Sequence, residues 1–423
     1  MAVFINGCQL LPFSQEPEPQ QVVWTVKADE VVSHEFTLQP NQNLVGSLAS
    51  VQARDNDTLS DIARHYGLGF NDIAYANAGM DPWTLHNTQS VILPLRFILP
   101  EAPHHGIVLN LATMRMFVYP KTTSNMLFTF PVGVGREGWN TPLGLTKIIS
   151  KKVNPDWIVP ESIKREHIKQ GDPLPNVIHA GPDNPLGNYA MHTGFNSILI
   201  HGTNKPYGIG MQVSHGCVQL YPEDIESLFN KVEVGTPVRI VHQPYLVAWD
   251  NDMLYLEAHP PLEKWQKQQT HLQADLKVQL KKIAAEKHTK LDWLKVADVL
   301  KRADGIPTPV LVNGENLYEL TAHAIPLQHP DQLANQPQVV ELKDSDWSLL
   351  TDRFPSASEA QKLAAMLNHL EPQIPARMVA SAGGYQVIAG PFKTSKETQQ
   401  NAKRIKQFFE LDVTARPPKK SVG

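Results

Sequence analysis

The fold of the central part of the chain is decided by the stretch Ile198-Leu-Ile-His-Gly-Thr-Asn204, followed after a glycine-rich loop by Val213-Ser-His-Gly-Cys-Val218. The apolar run predicts a strand that ends at His201. Sixteen residues separate His201 from Cys217, which is too far for one helical face but typical of adjacent strands joined by a loop. The loop can therefore bring the imidazole beside the thiol.

Cys217 has the surroundings that a nucleophilic cysteine needs. A thiol attacks as the thiolate, and a neighbouring imidazole can stabilise that form and take the proton. Gly216 lets the backbone approach a substrate carbonyl, so the N–H groups from His215 to Cys217 are candidates for an oxyanion hole. The alternative, a lone buried cysteine, does not explain two histidines and two glycines beside one thiol.

The sequence around these segments predicts a β-rich domain. Short apolar runs separated by Gly, Pro and Asn turns fill residues 106–242. The string Gly133-Val-Gly-Arg-Glu-Gly138 has the GxGxxG spacing of a dinucleotide site, but Trp139–Gly144 continues as a turn where that site needs a helix. The glycines are therefore interpreted as loop residues.

The two segments resemble the signature of the YkuD-type L,D-transpeptidases over residues 105–261. Three further stretches are similar to the ErfK/YbiS subgroup of Gram-negative bacteria: Gly135-Arg-Glu-Gly-Trp139, Gly181–Gly187 and His215–Asp224. The resemblance implies a β-rich, β-sandwich-like catalytic domain in which Cys217 is the nucleophile. It implies that His201 is the base, oriented by the Gly202 carbonyl, and that Ser214 and His215 line the thiol and position substrate.

The resemblance also implies a reaction on peptidoglycan. The cysteine attacks the diaminopimelate carbonyl of a tetrapeptide stem and releases D-alanine. The acyl group then passes to an amine, either another diaminopimelate, which makes a 3-3 cross-link, or the lysine of an outer-membrane lipoprotein. Water as acceptor would make the protein an L,D-carboxypeptidase.

Gln219 departs from the subgroup, which usually has arginine there, while other branches have asparagine. Glutamine keeps an amide that donates and accepts, but it lacks the fixed charge and the bidentate fork of arginine. A non-catalytic peptidoglycan-binding scaffold with a decayed site is therefore the alternative function.

Residues 48–99 predict a small module of strand, two helices and strand. Thr58 and Asp61 form a helix-start pattern, a second helix is expected over 71–77, and an apolar run ends at Pro94. Any compact αβ unit could give this pattern, but the residues resemble a LysM domain. That resemblance implies binding to N-acetylglucosamine in peptidoglycan.

The C-terminal part contains helical periodicity and then an internal repeat. Leucines at helical spacing predict a helical connector. After it, the sequence repeats at an offset of 38 residues, which pairs Phe354 with Phe392 and Ser356 with Thr394. Each half predicts strand, turn and helix, and the whole resembles a SPOR domain with βαββαβ, ferredoxin-like topology. The family implies binding to glycan strands without stem peptides, often at division sites; a generic ferredoxin-like domain is the alternative.

These resemblances divide the 423-residue chain into six parts: a tether (1–45), a LysM module (46–100), the catalytic domain (103–262), a helical connector (263–325), a linker (326–338) and a SPOR-like domain (339–417). Together they predict a periplasmic or cell-envelope protein that acts in cell-wall organisation and cell shape. The segment that ends at Cys8 also resembles the end of a lipoprotein signal, so Cys8 is either a lipid anchor or an ordinary free cysteine.

Composition excludes other classes of protein. Two cysteines cannot form a disulfide framework, and neither has metal-ligand spacing with nearby histidines. We therefore expect no metal and no cofactor. A net charge of −4 argues against nucleic acid as a partner, and no apolar run is long enough to span a membrane.

Overall fold

The computed structural model describes residues 34–121, 125–169 and 171–419. Cys8 and most of the predicted tether lie outside these residues. Within them, no helix combines the length and apolarity that crossing a membrane requires.

The N-terminal module combines short strands with two short helices: β1 (Glu35–Thr37), β2 (Leu44–Gly46), β3 (Ala49–Gln52), α1 (Leu59–His65), α2 (Phe70–Ala76), β4 (Ser90–Leu93) and β5 (Arg96–Ile98). β3 and β4 are antiparallel, with Val51 opposite Val91. The Thr58 hydroxyl caps α1 by accepting from the Asp61 N–H, as the helix-start pattern predicts. The order strand, helix, helix, strand is the one expected for this segment.

The central domain is β-rich, as predicted. Its elements are β6 (Gly106–Asn110), β7 (Arg115–Tyr119), β8 (Met126–Pro131), β9 (Val134–Gly135), β10 (Gly144–Val153), β11 (Trp157–Ile158), α3 (Glu161–Lys169), β12 (Val177–Ile178), β13 (Tyr189–Thr193), β14 (Leu199–His201), a 3₁₀ turn (Pro206–Gly208), β15 (Gln212–Ser214), β16 (Val218–Gln219), α4 (Pro222–Lys231) and β17 (Pro237–Val241). Among the described residues, nine strands form one sheet in the order β1-β8-β7-β6-β17-β10-β13-β14-β16.

The middle strands β6 and β7 of this sheet are buried on both faces. Successive strand residues point to opposite faces, so Ile107 packs with α4 residues such as Leu228, whereas Val108 packs with the core of the N-terminal module. β1, which falls within the predicted tether, joins the sheet with Phe36 opposite Leu127. The N-terminal module is therefore fixed to the back of the central sheet.

A third unit follows the central sheet: β18 (Tyr245–Asp250), β19 (Met253–Ala258), α5 (Glu263–Gln266), α6 (Gln269–Glu286), α7 (Trp293–Arg302), β20 (Thr308–Pro309), α8 (Leu317–Ala322) and β21 (Ile325–Leu327). β18 and β19 form a sheet with β20, so strands placed in the catalytic domain by the predicted boundary at 262 pair with the connector instead.

The predicted linker over 326–338 is packed against the N-terminal module. β21 pairs parallel with β3, and Leu327 and Leu333 are both buried in the core of that module. Burial of these two leucines stabilises the position of the segment through the hydrophobic effect.

The C-terminal domain has the predicted βαββαβ order: β22 (Trp347–Thr351), α9 (Ala357–Asn368), β23 (Ala376–Ser381), β24 (Gly384–Phe392), α10 (Ser395–Phe409) and β25 (Val413–Arg416). The sheet order is β23-β24-β22-β25. The repeat is visible at the helix starts, where Ser356 and Thr394 each accept from the N–H of the glutamate three residues later.

Candidate active site

The two central segments lie side by side as parallel strands. β14 and β16 pair with Ile200 opposite Val218 and His201 opposite Gln219. Cys217 immediately precedes β16, and its Sγ accepts from the Leu199 N–H over 3.4 Å. The fold therefore brings the thiol and the imidazole to neighbouring strands, two residues apart along β14.

The Cys217 thiol is half-buried and held by backbone groups. Its Sγ lies 3.6 Å from the Ser197 carbonyl oxygen, to which the thiol can donate. Burial raises the pKa of the Cys217 thiol, and the Leu199 N–H offsets this only in part. The resting thiol is therefore protonated at neutral pH.

His201 is buried and has a defined tautomer. Its Nδ1 lies 2.6 Å from the Gly202 carbonyl oxygen. Because a carbonyl oxygen only accepts, Nδ1 carries the hydrogen and Nε2 of the neutral ring keeps its lone pair. Burial lowers the pKa of His201 to about 4, although the Gly202 and Leu186 carbonyls act in the opposite direction. The His201 imidazole is thus neutral at physiological pH.

The loop before Cys217 is held by side-chain hydroxyls. Gly216 has a φ of 101°, a left-handed conformation that favours glycine. Its N–H donates to Ser214 Oγ over 3.1 Å, and Ser214 Oγ donates to the Cys217 carbonyl over 2.5 Å. Thr141 Oγ1 donates to the Gly216 carbonyl over 2.9 Å. The Gly216 N–H, a predicted oxyanion donor, is therefore occupied by Ser214 in this state.

The His215 imidazole lies between the Glu166 carboxylate and the Arg136 guanidinium. Its Nε2 lies 2.8 Å from Glu166 Oε2 and 3.0 Å from Arg136 Nη2, and Arg136 in turn pairs with Glu166. Burial lowers the pKa of His215; Glu166 opposes this, while Arg136 adds to it. The Trp139 ring meets the imidazole edge-on at 4.8 Å. These contacts fix the orientation of His215.

Gln219 is fixed through its backbone. Its N–H and C=O exchange two hydrogen bonds of 2.9 Å with Gly133. Its half-buried side chain lines a cleft of about 340 Å³ that Ser214 and His215 also line. Neither Cys217 nor His201 lines this cleft, but Ser214 and His215 lie three and two residues before Cys217, so we take the cleft as the candidate substrate site.

Comparison with known families and proteins agrees with the geometry. Residues 104–240 match the YkuD family, the L,D-transpeptidase catalytic domain, and residues 345–410 match the SPOR domain. The chain is 35% identical to the probable L,D-transpeptidase ErfK/SrfK of Salmonella typhimurium over 284 residues, which cover 65% of this chain and 90% of that protein. It is 40% identical to the probable L,D-transpeptidase YbiS of Escherichia coli over 223 residues, 52% of this chain and 72% of the relative.

The chain belongs to the L,D-transpeptidase family. It also carries a SPOR domain, which confirms the sequence-based expectation for the C-terminal part. The identity of the N-terminal module as a LysM domain stays a prediction.

Sequence reasoning missed part of the candidate site. Glu166 lies on α3, 49 residues before His215, and no local pattern connects them. Arg136 and Trp139 lie in a stretch that resembles the ErfK/YbiS subgroup, but their contact with His215 depends on how β9 and β15 pair. The sequence predicts a residue's role when its partner lies nearby along the chain, and the partners of His215 lie far from it in the sequence.

The C-terminal domain reaches the cleft of the L,D-transpeptidase domain. Gln407 and Phe408, near the end of α10, line the cleft together with Thr203, Lys205 and Tyr207. The Glu371 N–H also donates to the Asn204 carbonyl over 3.1 Å. Among the described residues, no group of three or more His, Cys, Asp or Glu side chains could hold a metal ion.

Proposed function

We propose that the chain is a peptidoglycan L,D-transpeptidase in which Cys217 is the nucleophile and His201 the general base. One observation carries this proposal: the Nδ1 of His201 faces the Gly202 carbonyl, so the neutral ring has its lone pair on Nε2, and the strand that ends at His201 pairs with the strand that follows Cys217. A neutral imidazole with this tautomer can accept the thiol proton.

In the proposed acylation, Cys217 Sγ bonds to the carbonyl carbon of diaminopimelate in a tetrapeptide stem while its proton moves to His201 Nε2. The tetrahedral intermediate then collapses, the C–N bond to D-alanine breaks, and His201 returns the proton to the leaving amine. A thioester and free D-alanine result.

In the proposed transfer, the nitrogen of an acceptor amine bonds to the thioester carbon. His201 takes a proton from that amine, the C–S bond breaks, and the proton restores the thiol. Diaminopimelate as acceptor gives a 3-3 cross-link, and the lysine of an outer-membrane lipoprotein gives lipoprotein attachment. The enzyme ends unchanged.

The resting pair is neutral, because burial raises the pKa of Cys217 and lowers that of His201. The proton therefore moves during attack rather than before it. The oxyanion that forms needs donors from the backbone of residues 215–217, and the Gly216 N–H becomes one of them when it leaves Ser214 Oγ. Ser214 is in this proposal a positioning residue, as is His215.

The flanking domains would hold the enzyme on its polymeric substrate. The SPOR domain would bind bare glycan strands, and the N-terminal module, with its LysM-like residues, would bind N-acetylglucosamine. Binding the same polymer at several points raises the effective concentration of stem peptides at Cys217. The protein would then act in the periplasm on cell-wall organisation and cell shape, with Cys8 as a candidate site of lipid attachment.

The test is to incubate the full chain with a disaccharide-tetrapeptide and a diaminopimelyl or lysyl amine, and to follow the products by mass spectrometry. Release of D-alanine with amine coupling is the expected result, and Cys217→Ala should abolish it. Cys8→Ser is the matched control and should keep full activity.

Two other results would replace this function. Release of D-alanine without coupling would identify an L,D-carboxypeptidase. Intact substrate, together with no acylation of Cys217 by a carbapenem, would identify a wall-binding scaffold in which Gln219 marks a decayed site.

A further inference from the structure

Lys205 lies in the loop that follows His201 and lines the candidate substrate cleft. Its side chain extends across the boundary between two domains, because its Nζ lies 4.3 Å from the centroid of the Phe408 ring on α10. A cation over an aromatic face is attracted to the ring, more so where water is excluded. The C-terminal domain thus holds the ammonium group of Lys205 at the cleft.

Within residues 34–121, 125–169 and 171–419, the Lys205 ammonium has no ion-pair partner. Burial lowers the pKa of Lys205, and the charge of Asp172 only partly counteracts this. Over the part of the chain that the structure describes, no carboxylate forms an ion pair with its Nζ. Because Lys205 is half-buried and a partly desolvated charge is stabilised by an opposite charge, an anion that enters the cleft would stabilise the ammonium.

The two carboxylates of the cleft wall already have partners of their own. Asp172 Oδ2 lies 3.3 Å from His167 Nδ1, and Asp183 Oδ1 lies 3.6 Å from Arg404 Nε. Neither carboxylate forms an ion pair with Lys205, although the charge of Asp172 acts on it. Among the described residues that line the cleft, an incoming ligand meets Lys205 as a cation without an ion pair.

Phe408 is itself held in place by the docking of α10. The Arg404 guanidinium lies 5.9 Å from the Phe408 ring, and the neighbouring Phe409 packs on Tyr207 with ring centroids 6.3 Å apart. The position of the Lys205 ammonium is therefore supported by a ring that the C-terminal domain supplies.

We propose that Lys205, held against Phe408, binds a carboxylate of the substrate, so that the SPOR domain forms part of the substrate-binding cleft of the catalytic domain. This inference rests on the proposed function for the identity of the ligand, a peptidoglycan stem peptide. A tetrapeptide stem offers carboxylates at its terminal D-alanine and on diaminopimelate. Lys205 is then a specificity residue and Phe408 a positioning residue.

The test measures binding separately from catalysis. The full chain with Cys217→Ala is titrated with a disaccharide-tetrapeptide by calorimetry, and the titration is repeated with Lys205→Met added. We expect Kd to rise about 10- to 100-fold, which is the effect of losing one hydrogen bond between charged groups. Lys205→Arg should keep most of the affinity, and Lys403→Met, an exposed lysine on α10, should leave Kd unchanged.

Amidated ligands identify the carboxylate. One ligand carries an amide at the terminal D-alanine and another an amide on diaminopimelate. One of these amides replaces the carboxylate that Lys205 contacts. That ligand should bind the protein with Lys205 as weakly as the unmodified ligand binds the Lys205→Met protein. Its Kd should not change further when Lys205→Met is introduced. The other ligand should behave like the unmodified one.

Phe408 provides the test of the domain contact. Phe408→Ala should raise Kd in the same direction as Lys205→Met, whereas Phe408→Tyr should preserve the affinity because the ring face remains. In the active enzyme, both damaging variants should raise KM more than they lower kcat.

Equal Kd values for the Lys205 and Lys205→Met proteins would overturn the inference, provided both melt at the same temperature. That result is distinct from failure of the proposed function, in which Cys217 is never acylated by substrate or carbapenem whatever the binding data show.

Discussion

His369 Nε2 lies 2.7 Å from Asp61 Oδ1, and both side chains are buried where the end of α9 meets α1. A second pair lies close by, with His329 Nε2 3.0 Å from Asp57 Oδ2, and it too is buried. Burial raises the pKa of Asp61, but His369 and Thr58 outweigh it, and the net shift is downward. The ionised Asp61 therefore ties the SPOR domain to the N-terminal module.

Removing the imidazole in His369→Ala should destabilise the protein, because it leaves the Asp61 carboxylate buried without its partner. We expect the free energy of unfolding to fall by about 3–5 kcal/mol. Chemical denaturation followed by fluorescence measures it. His323→Ala is the matched control, since His323 pairs with Glu315 on the exposed surface, where such pairs contribute about 0–1 kcal/mol. Equal losses in the two variants would contradict the role of the buried pair.

The pair of Asp61 and His369 also predicts how the stability of the protein depends on pH. The pKa of Asp61 is lower in the folded protein than its ordinary value of 3.8, so its contribution is complete above that value and is lost as pH falls through the folded pKa. Wild-type protein should therefore lose more stability between pH 5 and strongly acidic pH than the His369→Ala variant does, on the order of the same few kcal/mol. Parallel denaturation curves at each pH test this difference.

The pH dependence of the thiol follows from the two pKa shifts at the site. His201, with a pKa of about 4, stays neutral from mildly acidic pH upward, so kcat/KM for acylation should fall only as pH drops through about 4. The raised pKa of Cys217 predicts slow alkylation by iodoacetamide at pH 7 and a rise beyond pH 9. The measurement uses Cys8→Ser protein so that a single thiol reacts. Fast alkylation with a plateau at neutral pH would instead indicate a preformed thiolate.

Glu166 should set the pKa and orientation of His215. In Glu166→Gln the carboxylate that raises the His215 pKa is gone and the Arg136 charge remains, so the pKa should move further down. NMR titration of labelled histidine follows it. Loss of orientation should also reduce kcat/KM about tenfold, as expected for a lost charged hydrogen bond. Glu161→Gln, on the exposed side of the same helix, should change neither quantity.

Gly216 should tolerate a methyl group sterically but not conformationally. A Cβ there would meet its nearest atom at 3.4 Å, an ordinary contact, yet the φ of 101° disfavours alanine by about 1–2 kcal/mol. Gly216→Ala should stay folded and lose at least about tenfold in acylation rate as the loop shifts. Gly235→Ala, with a φ of 94° and open space around it, should lose similar stability and keep its acylation rate. Equal acylation in both variants would show that the loop conformation does not matter.

Local parts of this fold were predictable from sequence. The strand ending at His201, the Thr58 cap and the 38-residue repeat each depend on neighbours within a few residues or on self-similarity. The contacts between domains were not, because their partners are remote: Asp61 and His369 are 308 residues apart. Polar pairs of this kind have no periodicity that a single sequence reveals.

The candidate site likewise contains residues that the sequence indicated and contacts that it did not. The motif indicated Cys217 and His201 because their types and spacing suit the chemistry. The wall formed by Lys205 and Phe408 was not indicated, since it arises only when two separately recognisable domains dock.

The pairing of β21 with β3 decides where the chain can be cut. A truncated chain that lacks the C-terminal domain and ends before Ile325 would leave Ala49–Gln52 with unpaired N–H and C=O groups at an open sheet edge, a template for aggregation. It would also uncover the core that Leu327 and Leu333 now close. Ending after residue 338 keeps both. Residues 325–338 therefore belong structurally to the N-terminal module. A truncation that removes them would destabilise this module, and the effect would be wrongly attributed to the missing C-terminal domain.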